Sequence, residues 1–539
     1  LPYLLAAVWI FCLWRASQAE RGAYRTFLPW LLLFTSLTVL AFTLFPLKGF
    51  EEIFPIDDSY ISLTAARNIA EHNLPAVNQA SPLAGITSPL HVLLMGLLGK
   101  LVGVPSAARI VGCFFFLALI AGVFYWTKAL QDDELTPAFA AAVVALGGLM
   151  AAHSLNGLET VPFTALLIWT FVLFEWSRTK PLLIFAFGVL AGLTILTRPE
   201  GWFAAAALYA VAMVEAMRRR RNLYQVILSG LLALLVVSPY LALNYHYNET
   251  IFPLTVSAKK HFFGDYCLGW AERFHVLRLA LPVLPGSFLF LLPLLLWAKP
   301  FFKRVYPWLF MLLFYAAYTS QFVGALLHYG GRYQHPLLPL LLVALTIGGR
   351  RFVAWLAQRP QPSLASLARP ALLCILVVFL FMAAFNGALH RVLFRMNLDN
   401  TRDSMLSTVQ WVNDHTAPGD LVATHDVGAL YYFGRRQVLD LVGLTDPEVA
   451  HIHVVLADSC RDRAARMSSL YSLLEIRQPK IIYFMDKWDK QYMGLRRNDK
   501  ERHLQSRHRQ RVANTGIVYH FYEGIWNIDD DRVTALSQR

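Results

Sequence analysis

Charge is scarce in this sequence. Only 15% of its 539 residues are Asp, Glu, Lys or Arg while 56% are hydrophobic, which excludes both an ordinary soluble domain and a disordered chain. Cysteine is scarcer, at five. Cys12, Cys113 and Cys374 lie inside apolar runs, so no disulfide framework fits and Cys267 with Cys460 is the one pair left to form. Also missing are a Walker A sequence, a Gly-rich nucleotide loop, a zinc-ligand spacing, an internal repeat and any low-complexity tract. The histidines are dispersed, which argues against a His metal site. The net charge of +13 collects in short loops and a tail beside apolar segments, so it reads as membrane orientation and not as a nucleic-acid partner.

What is abundant is apolar run. Segments of roughly 15 to 22 apolar residues recur over the first 390 positions, and in lipid their backbone must be helical. The fold class expected is a polytopic α-helical membrane protein of about 11 to 13 transmembrane helices. Leu1 to Trp14 reads as part of a spanning helix and not a signal peptide. Basic residues mark five turns as cytoplasmic: Arg15, Arg21 and Arg25; Arg178 and Lys180; Arg218 to Arg221; Lys299, Lys303 and Arg304; and Arg350, Arg351, Arg359 and Arg369. The alternation works if the stretch 89 to 103, bounded by Pro89 and Val-Gly-Val-Pro, does not cross. Residues 1–389 are then a membrane domain whose outer loop 48–105 is unusually long. Residues 390–539 are charged and mixed, with helices over Thr401 to His415 and Arg461 to Ile476 and strands at Leu421 to Thr424, Gln437 to Val442 and Lys480 to Met485. They form an extracytoplasmic α/β domain.

This accounting places Asp57, Asp58, Glu159, Arg198, Glu200, Lys259 and Arg332 on one face of the membrane. Asp57 and Asp58 precede a helical pattern, so Asp58 could cap it, but one cap needs one side chain. Adjacent carboxylates repel, which raises the pKa of one and suits it to proton abstraction; a divalent cation held between them is the other use. Glu159 fits the first turn of a helix. Arg198, in Thr-Arg-Pro-Glu-Gly, needs a local reason on a face that disfavours cations: an ion pair with Glu200 or Glu159, or an anionic ligand. Lys259 and Lys260 suit anionic headgroups. In His328-Tyr-Gly-Gly-Arg-Tyr-Gln-His335, flexible glycines and a fixed cation suit a phosphate grip, while Tyr329 and Tyr333 could be interfacial anchors. Acids and cations on one outer face suggest a lipid-phosphate substrate.

Taken in order, Asp57-Asp58-Ser-Tyr-Ile-Ser-Leu-Thr-Ala-Ala-Arg-Asn, Gly85-Ile-Thr-Ser-Pro-Leu, Gly157-Leu-Glu-Thr, Thr197-Arg-Pro-Glu-Gly, Pro253 to Lys259, Gly331-Arg-Tyr, Asp426-Val-Gly and Asp440-Leu-Val-Gly-Leu-Thr-Asp resemble the GT-C superfamily of polyprenyl-phosphate-dependent glycosyltransferases. The nearest pattern is the branch containing the mycobacterial terminal β-arabinofuranosyltransferases, although Pro253-Leu-Thr stands where that branch has Pro-Asn-Thr. The resemblance implies transfer of a single sugar, with arabinofuranose or another pentose in view. The sugar would pass from a polyprenyl phosphate to a glycan, lipid or protein hydroxyl outside a bacterial inner membrane, with the C-terminal domain in the periplasm. On that reading Asp57 is the general base and Asp58 orients it or the sugar. Lys259, Arg332 and Arg198 meet the donor phosphate, and Glu159, Glu200, Tyr60, His328 and Tyr333 contact sugar or acceptor. No cofactor is required, and stereochemistry stays open between inversion and retention. A lipid-linked sugar flippase or secondary transporter is the competing reading, and it predicts inverted repeats and charges through both leaflets. An envelope-assembly scaffold would have no need of the carboxylates.

Overall fold

The computed structural model describes residues 1–18, 27–47, 49–131, 133–218, 220–457, 463–499, 503–511 and 518–526; Arg21, Arg25, Arg219, Cys460 and Arg461 lie outside them. The chain is a multi-pass membrane protein, mostly helical, with a small sheet near its C-terminus. Among the described residues, five helices are long and apolar enough to cross a membrane, at Phe27–Leu44, Val104–Leu130, Leu223–Asn248, His335–Ala357 and within 362–415. Two pairs of helices are apolar enough only when taken together, and each is bent as in a broken span or a re-entrant loop: Trp270–Val283 with Gly286–Trp297, by 91°, and Val305–Gln321 with Val323–Gly330, by 100°. The long helices are therefore fewer than the 11 to 13 expected. The difference lies in short apolar helices such as Leu135–Leu146, Thr160–Trp176, Leu183–Thr197 and Gly201–Met217. At 1.5 Å per residue these reach about 18 to 26 Å, less than a hydrocarbon core of about 30 Å.

The molecule divides into two compact units, and the division is not one cut near residue 390. The first comprises 1–51, 109–239 and 270–395; the second comprises 52–108, 240–269 and 396–539. The first is the helical bundle, in which Thr160–Trp176 packs on Leu183–Thr197, and Gly201–Met217 packs on Val305–Gln321. Inside it the buried hydroxyls of Thr35, Thr43, Thr164 and Thr170 donate to the carbonyl four residues back. At one end of the bundle Arg178 bonds Glu175 and Glu215, Arg221 bonds Glu215, and Arg304 lies 3.2 Å from Glu175. Three of the five basic turns read from the sequence thus meet at one end.

The second unit joins the long loop after Phe27–Leu44 to the tail through one apolar core. Phe54, Leu63 and Ile69 are buried in the same cluster as Val422, Leu474 and Ile482. Its sheet has strands β1 (Leu421–Thr424), β2 (Gln437–Asp440), β3 (Ile481–Met485), β4 (Leu504–Arg511) and β5 (Val518–Gly524), in the order β2-β1-β3-β5-β4. β1 pairs parallel with β2 and β3, so each connection must cross over: the chain passes from β1 to β2 through the helical turn Leu430–Gly434, and from β2 to β3 through Pro447–Ala457 and Arg463–Arg477. β4 and β5 form an antiparallel extension that the sequence reading missed. The helix Pro89–Val102, expected not to cross, packs on Asp57–His72 in this unit. Cys12, Cys113 and Cys374 are free thiols, and Cys267 is disulfide-bonded.

Candidate active site

The residues singled out in the sequence form two clusters, one in each unit. In the second unit, Asp57 and Asp58 open the helix Asp57–His72, but its N-cap is Ile56, which offers no side-chain bond. Capping is therefore not their role. Asp57 points away from its own helix: its two carboxylate oxygens accept the backbone N–H groups of Gly428 and Ala429 at 2.9 and 2.8 Å. Gly428 is required for that approach, since a Cβ there would sit 2.1 Å from the Asp57 carbonyl oxygen. Asp57 is 6% exposed. Burial and then the nearby Asp426 push its carboxyl up to about 8, against the pull of the two amides; Asp58 adds a smaller push. Repulsion between acids does raise one of them, but Asp426 contributes more of it than the sequence neighbour.

Asp58 lies 3.9 Å from Lys259, which stands on the helix Leu254–Phe263. That helix is tied to the loop before Pro89 by a Thr87–Thr255 hydroxyl bond of 2.8 Å. The two carboxylates thus face amide hydrogens on one side and an ammonium on the other. Among the described residues, no group of three or more His, Cys, Asp or Glu could hold a metal. Tyr60 is placed otherwise than expected. It is fully buried among Phe54, Tyr432 and Phe433, its hydroxyl bonded to the Phe54 main chain, so it is core and not a sugar contact.

In the first unit, Arg198 meets both acids offered for it. Its Nη1 lies 3.0 Å from Glu159, and its Nη2 and Nε bond Glu200 at 2.6 to 3.2 Å. Glu200 also accepts the Tyr318 hydroxyl at 2.6 Å. Arg198 is 5% exposed and answered by two carboxylates, so the ion-pair reading holds and a phosphate contact is not needed to explain it. Arg332 sits in a tight turn: Gly331 and Arg332 N–H groups both bond the His328 carbonyl, and Tyr329, Gly330 and Gly331 have φ of 46°, 66° and 84°. A Cβ on Gly331 would be strained there and would meet Val283 at 2.7 Å. The Tyr333 ring lies 5.3 Å from the Arg198 guanidinium and 5.0 Å from that of Arg332, and 6.4 Å from His328.

These geometries can be set beside known proteins. A family model described as a domain of unknown function, DUF8728, matches residues 396–529. No curated protein matches the chain. Among solved structures, ArnT from Cupriavidus metallidurans bound to undecaprenyl phosphate superposes with a TM-score of 0.54 at 13% identity, covering 91% of this chain and 97% of that one. The apo structure of the same protein gives 0.53 at 12% identity, with the same coverage. The chain has the GT-C fold.

Sequence reasoning missed six residues in three groups. Asp426 and Gly428 were legible only as a quoted Asp-Val-Gly segment, and Ala429 just after it was not singled out. Tyr318 lay unremarked in an apolar helix. His153 and His335, 182 residues apart, were counted among the dispersed histidines yet bond each other at 2.6 Å. The other quoted segment of the tail is architectural: Asp440 is buried and accepts the N–H groups of Val442, Gly443 and Thr445, closing the turn after β2.

Proposed function

We propose that this protein is a membrane glycosyltransferase that moves a single sugar, a pentofuranose on the sequence resemblance, from a polyprenyl phosphate to a hydroxyl acceptor on the outer face of the membrane. The fold shared with ArnT, solved with undecaprenyl phosphate, supports the donor class. A disulfide at Cys267 supports an oxidising, extracytoplasmic side for that loop. The observation that carries the reading is Asp57: a carboxylate fixed by two backbone amides, with proton affinity raised toward the working pH.

Asp57 takes the acceptor hydroxyl proton as the acceptor oxygen bonds the anomeric carbon. The bond from that carbon to the phosphate oxygen breaks, and the polyprenyl phosphate leaves. Lys259 and Arg332 are the cations proposed to offset its growing charge. Asp58 orients Lys259, while Arg198 positions Glu159, the more exposed of its two acids and the better placed for a sugar hydroxyl.

Purified protein supplied with radiolabelled polyprenyl-phosphate sugar should lose transfer by about 10²- to 10⁴-fold in Asp57→Asn. Wild-type transfer should rise with pH toward an apparent pKa of about 8 as the base ionises. Full activity in Asp57→Asn would sink the assignment.

A further inference from the structure

The bundle contains a hydrogen-bond chain whose direction can be worked out atom by atom. Asn156 Oδ1 accepts the Leu158 N–H at 2.9 Å, so its amide nitrogen is the group facing His153 Nδ1, also at 2.9 Å. An amide nitrogen only donates, so His153 Nδ1 must accept and its proton must sit on Nε2. His153 Nε2 lies 2.6 Å from His335 Nδ1, which therefore accepts in turn. The His335 proton is then on Nε2, from which it is donated to the Gly330 carbonyl at 3.2 Å. Every link points one way, from Asn156 to the turn that carries Arg332.

The arrangement has no room for another proton. One added at His153 Nδ1 would face the Asn156 amide hydrogens; one added at His335 Nδ1 would face the His153 N–H across 2.6 Å. We infer that Asn156, His153 and His335 are positioning residues, a one-way chain of neutral imidazoles that orients His335 toward the Gly330–Arg332 turn, and that a second proton on either ring breaks a link of the chain and the orientation with it. The inference rests on the reading that Arg332 meets the donor phosphate. The turn needs such a hold: Tyr329 is a non-glycine residue at φ 46°, a conformation that persists only when its surroundings enforce it. The charged and titratable groups facing the pair are Arg332 on the turn itself, Arg198 after Leu183–Thr197, and His390 on the helix Ala368–Asn400. All three oppose protonation of His153. Burial foremost, then His335 and these groups, holds His153 well below the ordinary histidine range.

The direct test is nitrogen NMR of the full-length protein in nanodiscs, labelled on histidine, with His153→Gln and His335→Gln used only to assign signals. At about pH 7.5 both rings should show a bare Nδ1 and a protonated Nε2. A protonated Nδ1 on either ring overturns the chain. The functional arm measures undecaprenyl phosphate binding across the acid range. Wild-type affinity should fall as the rings protonate. His335→Phe, which keeps a ring but removes both links, should bind about tenfold more weakly at neutral pH and lose the acid limb. Asn156→Asp turns the first donor into an acceptor, so His153 can hold a second proton with the rest of the chain intact, and binding should persist to lower pH than in wild type. If Arg332→Gln binds like wild type, the phosphate role of Arg332 fails. If Arg332→Gln weakens binding while His335→Phe leaves affinity and acid limb unchanged, the phosphate role survives and the positioning role fails.

Discussion

Asp57 and Glu200 are carboxylates of nearly equal burial, one in each unit, at 6% and 4% exposure. Their surroundings differ in kind. Burial raises the proton affinity of both, but at Glu200 the Arg198 guanidinium and the Tyr318 hydroxyl override it, so that Glu200 titrates below its ordinary range. At Asp57 the answering groups are two peptide N–H groups, and Asp426 stands close by, so burial wins and the carboxyl rises to about 8. An acid paired with a cation is held charged and inert. An acid given only amide dipoles and a second acid stays within reach of a proton. The difference separates a carboxylate locked in an ion pair from one suited to proton transfer.

The comparison breaks most severely at Arg198. Arg198→Ala leaves Glu159 and Glu200 without their cation in a buried position, and should cost about 3 to 5 kcal/mol of stability. Arg178→Ala at the other end of the bundle should cost less, because Glu175 keeps Arg304 and Glu215 keeps Arg221. Thermal melts in one detergent check both; equal losses would mean that Arg198 is no more than an ordinary ion pair.

The pH dependence of stability sharpens the contrast, because the two acids contribute with opposite sign. Asp57 binds its proton more tightly folded, at about 8, than unfolded, near 3.8. Its contribution is therefore full below 3.8 and is lost as pH rises through 8. Glu200 is depressed from 4.5, so its contribution is present above 4.5 and is lost as pH falls through the folded value. Asp57→Asn should gain on wild type steadily between about pH 4 and 8, and Glu200→Gln should lose least relative to wild type in strong acid. Denaturation midpoints over that range decide it; parallel curves for Asp57→Asn would remove the raised proton affinity.

Much of this was legible in sequence where a single principle decided the outcome. Apolar length gave the bundle, and basic loops placed Arg178, Arg221 and Arg304 together at one end. β1 was read to the residue, because a short apolar run between turn signals has few alternatives. β4 was not read, since Leu-Gln-Ser-Arg-His-Arg-Gln-Arg lacks apolar alternation and is a strand only through its pairing with β5. The site divides the same way. Arg198 with its two acids followed from the question of why a cation stood in that turn. Tyr60 misled because a tyrosine beside two aspartates suggests a ligand, whereas the helix turns it inward to Phe54. The partners of Asp57 are peptide groups some 370 residues away, and backbone amides leave no mark in a sequence.

The smallest expected effect isolates one bond of the comparison. Tyr318→Phe removes only the hydroxyl that donates to Glu200 Oε1, leaving Arg198 on both carboxylate oxygens. A hydrogen bond to a charged acceptor is worth about 1.5 to 3 kcal/mol, and the retained guanidinium places the loss at the lower end. The ring stays packed against Phe314 and Tyr333, so no cavity adds to the cost. Because the phenol favours the ionised acid, its removal should also move the acid limb of Glu200 to higher pH. A melt showing the small loss with that shift confirms that Glu200 is held charged by neighbours acting together; the loss without the shift would leave Arg198 as the sole reason.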